Sequence, residues 1–475
     1  MLPISKESLQ TLLYIWAGLS FILLLATWYS KRPGVGLPLC YAFATSLLYV
    51  PGAIAYAMPG YQPKSQVLID NQASLKATQM GFEITTIGLL GLVLSWFFAT
   101  PCIGTKVRLQ ALRLMPVINS KLPGTLLVMS LLFFFVLTPV MRLIPSLGSI
   151  GSSGVSLSMV AVCAACWQAW IAGDRVRFYW WLIGSSIAFP FITLIFLGFM
   201  SFGTASVITV WMFVMSFYRP RWLAIVVLFF FMYGGMSVYV NYMRERNAIR
   251  ESVWSQQQMS SRFDQIANLA TNFELLDLTN NYHLEALDIR LNQNHLVGVS
   301  AGYIGRGRVE FARGYTLWVA ATAWIPRVLW PDKPSMAGSS GMVAHFTGLT
   351  FPKGTSVGIG HIMEFFINYG RWCVFTGVFV IGFMLRWFDL RAGQYLASGD
   401  YWSFGRWLLP ATGLLNVAGN VATAVASMAA AFVFVTAIHR VFFAAYYTTA
   451  EDAARAGTPP LARPWAVRRG HSRRA

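Results

Sequence analysis

The stretch Trp222–Val240, WLAIVVLFFFMYGGMSVYV, runs directly into Asn241–Ser260, NYMRERNAIRESVWSQQQMS. The first part carries no charge and is long enough to cross a hydrocarbon core as a helix. Within the second, Tyr242–Ser260 reads as a polar helical extension of it, with Arg244, Glu245, Arg246, Arg250 and Glu251. It opens a polar island, residues 241–360, in an otherwise apolar chain. The island holds 9 of the 18 Asp and Glu residues, nine arginines and three of the six histidines. The 475-residue chain is 56% hydrophobic and 11% charged, where soluble domains carry about 25% charged residues.

Apolar windows recur at 10–28, 37–57, 82–100, 123–141, 154–172, 178–198, 202–218, 222–240, 361–385, 404–420 and 423–446. The expected fold is therefore an all-α polytopic membrane protein. It has about 11 (10–12) transmembrane helices and one large exoplasmic loop containing amphipathic or interfacial helices. Four regions follow. They are an N-terminal bundle of about eight helices at 1–240, the loop at 241–360, C-terminal helices at 361–446 and a basic tail at 447–475. The first window has no small-residue cleavage site behind it and reads as a retained span. At 404–446, Pro410, Gly413 and Gly419 leave a broken helix as the alternative to two spans.

The net charge of +18 raises a nucleic-acid partner. Its distribution argues against one, because the island nearly balances, with 11 Lys and Arg against 9 Asp and Glu. Much of the excess lies in short connections: Lys31/Arg32, then Lys106/Arg108/Arg113/Lys121, Arg175/Arg177, Arg219/Arg221 and Arg386/Arg391. By the positive-inside rule these are cytoplasmic. The island is then exoplasmic, and the tail with Arg463, Arg468, Arg469, Arg473 and Arg474 lies against the inner leaflet. Cys163 and Cys166, in an Ala-rich apolar window, read as small packing residues rather than a redox or metal pair.

Within the island, 261–298 has helical spacing of apolar residues. Tyr315–Trp330 is apolar but short for a span and suits an interfacial or re-entrant helix. Gly338–Gly360 reads as a flexible loop. Arg290, Arg306, Arg308, Arg313 and Arg327 offer planar forks that match phosphate oxygens. In Ile325–Pro334, IPRVLWPDKP, three prolines stiffen the backbone around Arg327, Asp332 and Lys333. That run is either a preorganised binding turn or a structural turn with an internal ion pair. His361 and Glu364 share a helix face at the start of a span. Acid–base or substrate-binding work, helix capping and metal ligation all fit the pair, but no further ligand pair at metal spacing accompanies it. His345 is a lesser candidate, and His283 and His295 lesser still. Walker A, Rossmann and nucleophile-elbow motifs are absent.

Three segments together resemble the Wzy-like polymerases of oligosaccharide repeat units in bacterial O-antigen and exopolysaccharide pathways. They are Arg290–Leu296 (RLNQNHL), Ile325–Pro334 and His361–Gly370 (HIMEFFINYG). The resemblance implies a glycosyltransferase of the bacterial inner membrane needing no metal, nucleotide or other cofactor. Its donor would be a glycan on undecaprenyl pyrophosphate, and its acceptor a second lipid-linked repeat unit. Arg327, His361 and Glu364 would be catalytic. Arg290, Arg306, Arg308, Arg313, Asp332, Lys333 and His345 would bind substrate and pyrophosphate. Membrane lipids, a chain-length regulator and a flippase of the same pathway would be partners. An O-antigen ligase-type transferase and a lipid-linked sugar transporter are the alternatives.

Overall fold

The computed structural model describes residues 3–443, except 31, 112–120, 142–147, 219–220, 256–261, 263–266, 268–270, 327–328, 335–337 and 352–356. Arg327 and the basic tail, both singled out above, lie outside the described residues. The described residues form helices and turns and include no strand.

Eight helices are long and apolar enough to cross a membrane. They are Lys6–Tyr29, Leu37–Ala57, Leu75–Ile103, Ile150–Ala172, Arg175–Leu197, Arg221–Asn247, Gly360–Ser398 and Val421–Phe443. Leu122–Leu137 and Ser201–Phe217 are apolar but shorter. The Arg221–Asn247 span continues as helix to Trp254, as its polar extension requires.

The tenth expected span, 404–420, is not one helix of spanning length, and the broken path left open above is what forms. Tyr401–Thr412 is a helix of 12 residues that passes into a single turn at Gly413–Leu415. The chain then turns at 416–420 to enter Val421–Ile438. Gly413 permits this fold-back, because a methyl group there would stand 2.7 Å from the Met428 amide and 2.9 Å from the Ala424 carbonyl oxygen. Arg386 and Arg391, read above as a connection between spans, lie inside the Gly360–Ser398 helix. The stretch 338–360, expected to be loop, contains the helix Ser339–Thr347. Its buried Met342, Val343 and Phe346 follow helical spacing, and Gly348 ends it with φ 71. The expected helix at 315–330 is confined to Tyr315–Thr322.

The Leu75–Ala111 and Gly360–Ser398 helices pack along much of their length. Small residues allow it: a methyl at Gly91 would reach 2.6 Å from the Phe375 carbonyl oxygen, and Gly382 lies on the Ser95 hydroxyl. One end of this pair is locked by a buried ion pair, Arg386 to Asp389. Arg386 Nε donates to Thr100 at 3.0 Å, and its guanidinium stacks 4.5 Å over Trp96. Asp389 Oδ1 accepts from the amides of Val35 (2.8 Å) and Leu37 (3.1 Å), which ties the 30–37 turn to the same point.

The island does not stand apart from the spans. Its helices Asn281–Leu291 and Asn294–Gly305 dock on Leu37–Ala57 and Leu75–Ala111. The second approach is backbone to backbone, with Gly298 against the Ala77 carbonyl and Gly81 against the Asn294 carbonyl. A Gly298→Ala change forces these helices apart. It should lower the melting temperature by the equivalent of about 1–3 kcal/mol of overpacking. Gly302→Ala, where a methyl meets nothing within 4 Å, should leave it unchanged or raise it. Thermal unfolding of the two purified variants checks the pair.

Candidate functional site

Gly360–Asn368 is a short helical segment set off from the rest of its helix. Tyr369 (φ −142, ψ 27) and Gly370 (φ 69, ψ −150) leave helical geometry and break the run. The segment starts at Gly360 (φ 69), where any side chain would stand 2.7 Å from Gln293 Oε1 and 3.1 Å from the Tyr49 hydroxyl. His361, Glu364 and Asn368 fall on one face of it and are fully buried.

Each of the three holds a different element. His361 Nδ1 lies 3.2 Å from the Tyr41 hydroxyl and the two rings stack, while its amide donates to the Val417 carbonyl at 3.1 Å. Glu364 Oε2 accepts from the Val421 amide at 2.7 Å and so caps the Val421–Ile438 helix. Asn368 accepts from the Gly314 amide at 3.0 Å and donates to Thr316 at 2.7 Å. Two atoms of the stripe stay unused. His361 Nε2 has no partner, and Glu364 Oε1, beside the Thr316 hydroxyl, has none of hydrogen-bonding geometry.

The 288–296 segment meets the start of this helix, where Gln293 lies against Gly360. Asp288 is fully buried and accepts from the Tyr61 hydroxyl at 2.7 Å and from Asn292 at 2.6 Å. Burial pushes its carboxyl above the usual range, against these two donors. Asn292 also donates to Thr78 at 3.0 Å, and Asn294 donates to the Tyr49 carbonyl at 2.6 Å. His295 Nδ1 lies 2.6 Å from the Asn292 carbonyl, so that nitrogen carries the proton and Nε2 is a free acceptor. Burial lowers the His295 pKa and favours this neutral form. Tyr49, Gln293 and Asn292 each add a buried side-chain oxygen without a partner.

Arg290, at the end of Asn281–Leu291, faces Arg246 and Arg250 on the polar extension of the Arg221–Trp254 helix. Apolar packing of Leu287 and Leu291 against Val240 brings these helices together. Arg290 Nε is buried without a partner. Its pKa is lowered first by burial and then by the charge of Arg246. Arg250 is shifted the same way, in the same order of causes. It interacts with the Tyr242 hydroxyl and stacks 4.4 Å over Phe199. No ion pair joins Arg246 or Arg290 to a carboxylate among the described residues. Glu274 instead takes Arg244 at 3.1 Å and His283 at 3.2 Å. A like-charged cluster of this kind fits an anion with several oxygens.

The other sequence candidates lie elsewhere. Arg306, Arg308 and Arg313 are exposed, and Arg313 pairs with Glu310 at 2.8 Å. Lys333 donates to the carbonyls of Ala323 (3.0 Å) and Ile325 (2.9 Å), closing the turn beyond Tyr315–Thr322. Asp332 is exposed, and so is His345, with its ring edge-on to Phe346. The candidates thus divide between a buried stripe, a basic cluster and a solvent-facing set. In the sequence Arg246 and Arg250 read only as part of the polar helical extension and not as site candidates, although their four-residue spacing sets them on one face. Tyr41 and Tyr49 gave no signal inside an apolar window. No group of three or more His, Cys, Asp or Glu among the described residues is placed to hold a metal.

A family model matches residues 40–408. The chain belongs to the family DUF8712, described as a domain of unknown function. No curated protein and no solved structure matches the chain. The DUF8712 segment contains the whole island, the basic cluster and the His361–Asn368 stripe. It stops before Val421, the amide that Glu364 caps. Glu364→Gln keeps an acceptor for that amide, whereas Glu364→Ala leaves the amide unpaired. The alanine variant should lose about 1–3 kcal/mol more stability than the glutamine variant. Equal losses in thermal or denaturant unfolding would remove the capping role.

Proposed function

We propose that this protein polymerises undecaprenyl-pyrophosphate-linked oligosaccharide repeat units at the periplasmic face of the bacterial inner membrane. The observation that carries this reading is the cluster of Arg246, Arg250 and Arg290 on the island side of an apolar helical bundle. It suits a lipid-borne pyrophosphate.

In this reading the acceptor hydroxyl attacks the anomeric carbon of the donor glycan. The bond from that carbon to the pyrophosphate oxygen breaks, and the lipid pyrophosphate leaves. The leaving group needs its charge neutralised more than it needs a proton, and the three arginines do that. The hydroxyl proton goes to His361 or Glu364, the two ionisable side chains of the stripe, whose Nε2 and Oε1 atoms have no hydrogen-bond partner. The exposed Arg306, Arg308 and Arg313 guide the anionic donor toward the cluster. Arg327 would be catalytic beside His361 and Glu364, and Asp332 and His345, both exposed on the same island, complete the proposed substrate-binding set. An O-antigen ligase-type transferase would use the same donor and the same cluster. A second reading, a transporter or flippase of lipid-linked sugars, is favoured by the helix break at Tyr369–Gly370 beside buried His361 and Glu364.

Cells carrying Arg290→Ala, Arg246→Ala or Arg327→Ala should accumulate single lipid-linked repeat units while the protein persists in the membrane. Long polymer that stays unattached would indicate a ligase. Repeat units trapped on the cytoplasmic leaflet would indicate a flippase. An unchanged glycan-length profile in Arg290→Ala cells would sink the assignment of the cluster.

A further inference from the structure

A patch of aromatic residues in and beside the island faces outward. Trp318 is 57% exposed, Tyr369 57% and Trp372 80%. They come from two segments that the backbone holds side by side. Tyr315–Thr322 buries Thr316, Val319 and Ala320, which turns Trp318 and Tyr315 to the other face. Asn368 pins the start of this helix through Gly314 and Thr316, and the Ala312 amide donates to the Ile367 carbonyl at 2.8 Å. Gly314 is so close to the Tyr369 hydroxyl that an added methyl would stand 2.8 Å away.

The patch continues into the adjoining span. On the helix after the break, Trp372, Thr376 and Val380 are exposed at four-residue intervals and form one stripe. The outward apolar face of a membrane-crossing helix meets lipid. The aromatic patch is the end of that stripe, where Trp and Tyr favour the boundary between acyl chains and headgroups. The chain leading into Tyr315–Thr322 supplies exposed Arg306, Arg308 and Arg313, which suit headgroup phosphates.

We infer that Trp318, Tyr369 and Trp372 form a membrane-interface surface, with the Tyr315–Thr322 helix lying in the headgroup layer beside the span that begins after Gly370. Its occupant is phospholipid. This inference stands whether or not the protein is a polymerase, because it rests only on the geometry of the patch and the span.

Spin labels at Trp318→Cys and, separately, Trp372→Cys test it in proteoliposomes containing phosphatidylglycerol. A Cys102→Ser background removes the exposed native thiol, the other four cysteines being buried. Glu310→Cys, whose native side chain is 81% exposed, serves as the aqueous reference. Both labels should collide with dissolved oxygen, and each should collide severalfold less with a water-soluble nickel chelate than the reference does. Nickel access equal to the reference at both positions overturns the inference. Protection from both reagents also overturns it, since protein or glycan would then cover the patch.

Discussion

Three polar side chains on one buried helix face organise the island end of this protein. His361, Glu364 and Asn368 lie within a nine-residue segment that is sealed from solvent. Burial of such groups is costly unless each is bonded. Each bond runs to a different element: the Tyr41 helix, the Val421 amide and the Gly314–Thr316 turn. The position of the last long apolar helix, the turn before it and the aromatic helix all follow from that stripe. Gly360 and Gly370 make it possible, since both adopt positive φ at the ends of the segment.

Charge is handled differently at different places in the fold. Arg386 is buried but fully engaged, with Asp389, Thr100, Ser30 and the Trp96 ring around it. That arrangement is a lock, and breaking one partner of such a pair is strongly destabilising. Arg290 is half-buried, faces Arg246 and Arg250, and keeps an unpartnered Nε. Holding like charges together costs stability, and an anionic ligand would offset the repulsion. His361, Glu364, Tyr49 and Gln293 each keep a buried polar atom without a partner, which is likewise costly.

The sequence made the membrane character and most span positions legible, because uninterrupted apolar length is a direct physical requirement of a bilayer. At 404–446 it left two spans or a helix broken at Pro410, Gly413 and Gly419, and the chain breaks there, with Gly413 letting the backbone fold back. It misled at 338–360, where glycine and serine content masked the Met342, Val343 and Phe346 spacing. The docking of the island on the spans depends on Gly81 meeting Asn294 and Gly298 meeting Ala77 across more than 200 residues of chain, and no local pattern encodes those contacts. Of the candidate site, Arg290, His361 and Glu364 were visible as isolated ionisable residues. Their partners Arg246, Tyr41 and Val421 became partners only through tertiary packing. Lys333 looked like a presented charge, yet its ammonium closes a turn by bonding two carbonyls.

The most direct test of the account is the thermal stability of the purified protein with and without undecaprenyl pyrophosphate. A ligand that binds only the folded state raises the melting temperature as its concentration passes the dissociation constant. The wild-type protein should show that rise, and Arg290→Ala should lose most of it while keeping its own ligand-free transition. No rise in the wild type, or an equal rise in both, would contradict an anion site built on Arg246, Arg250 and Arg290.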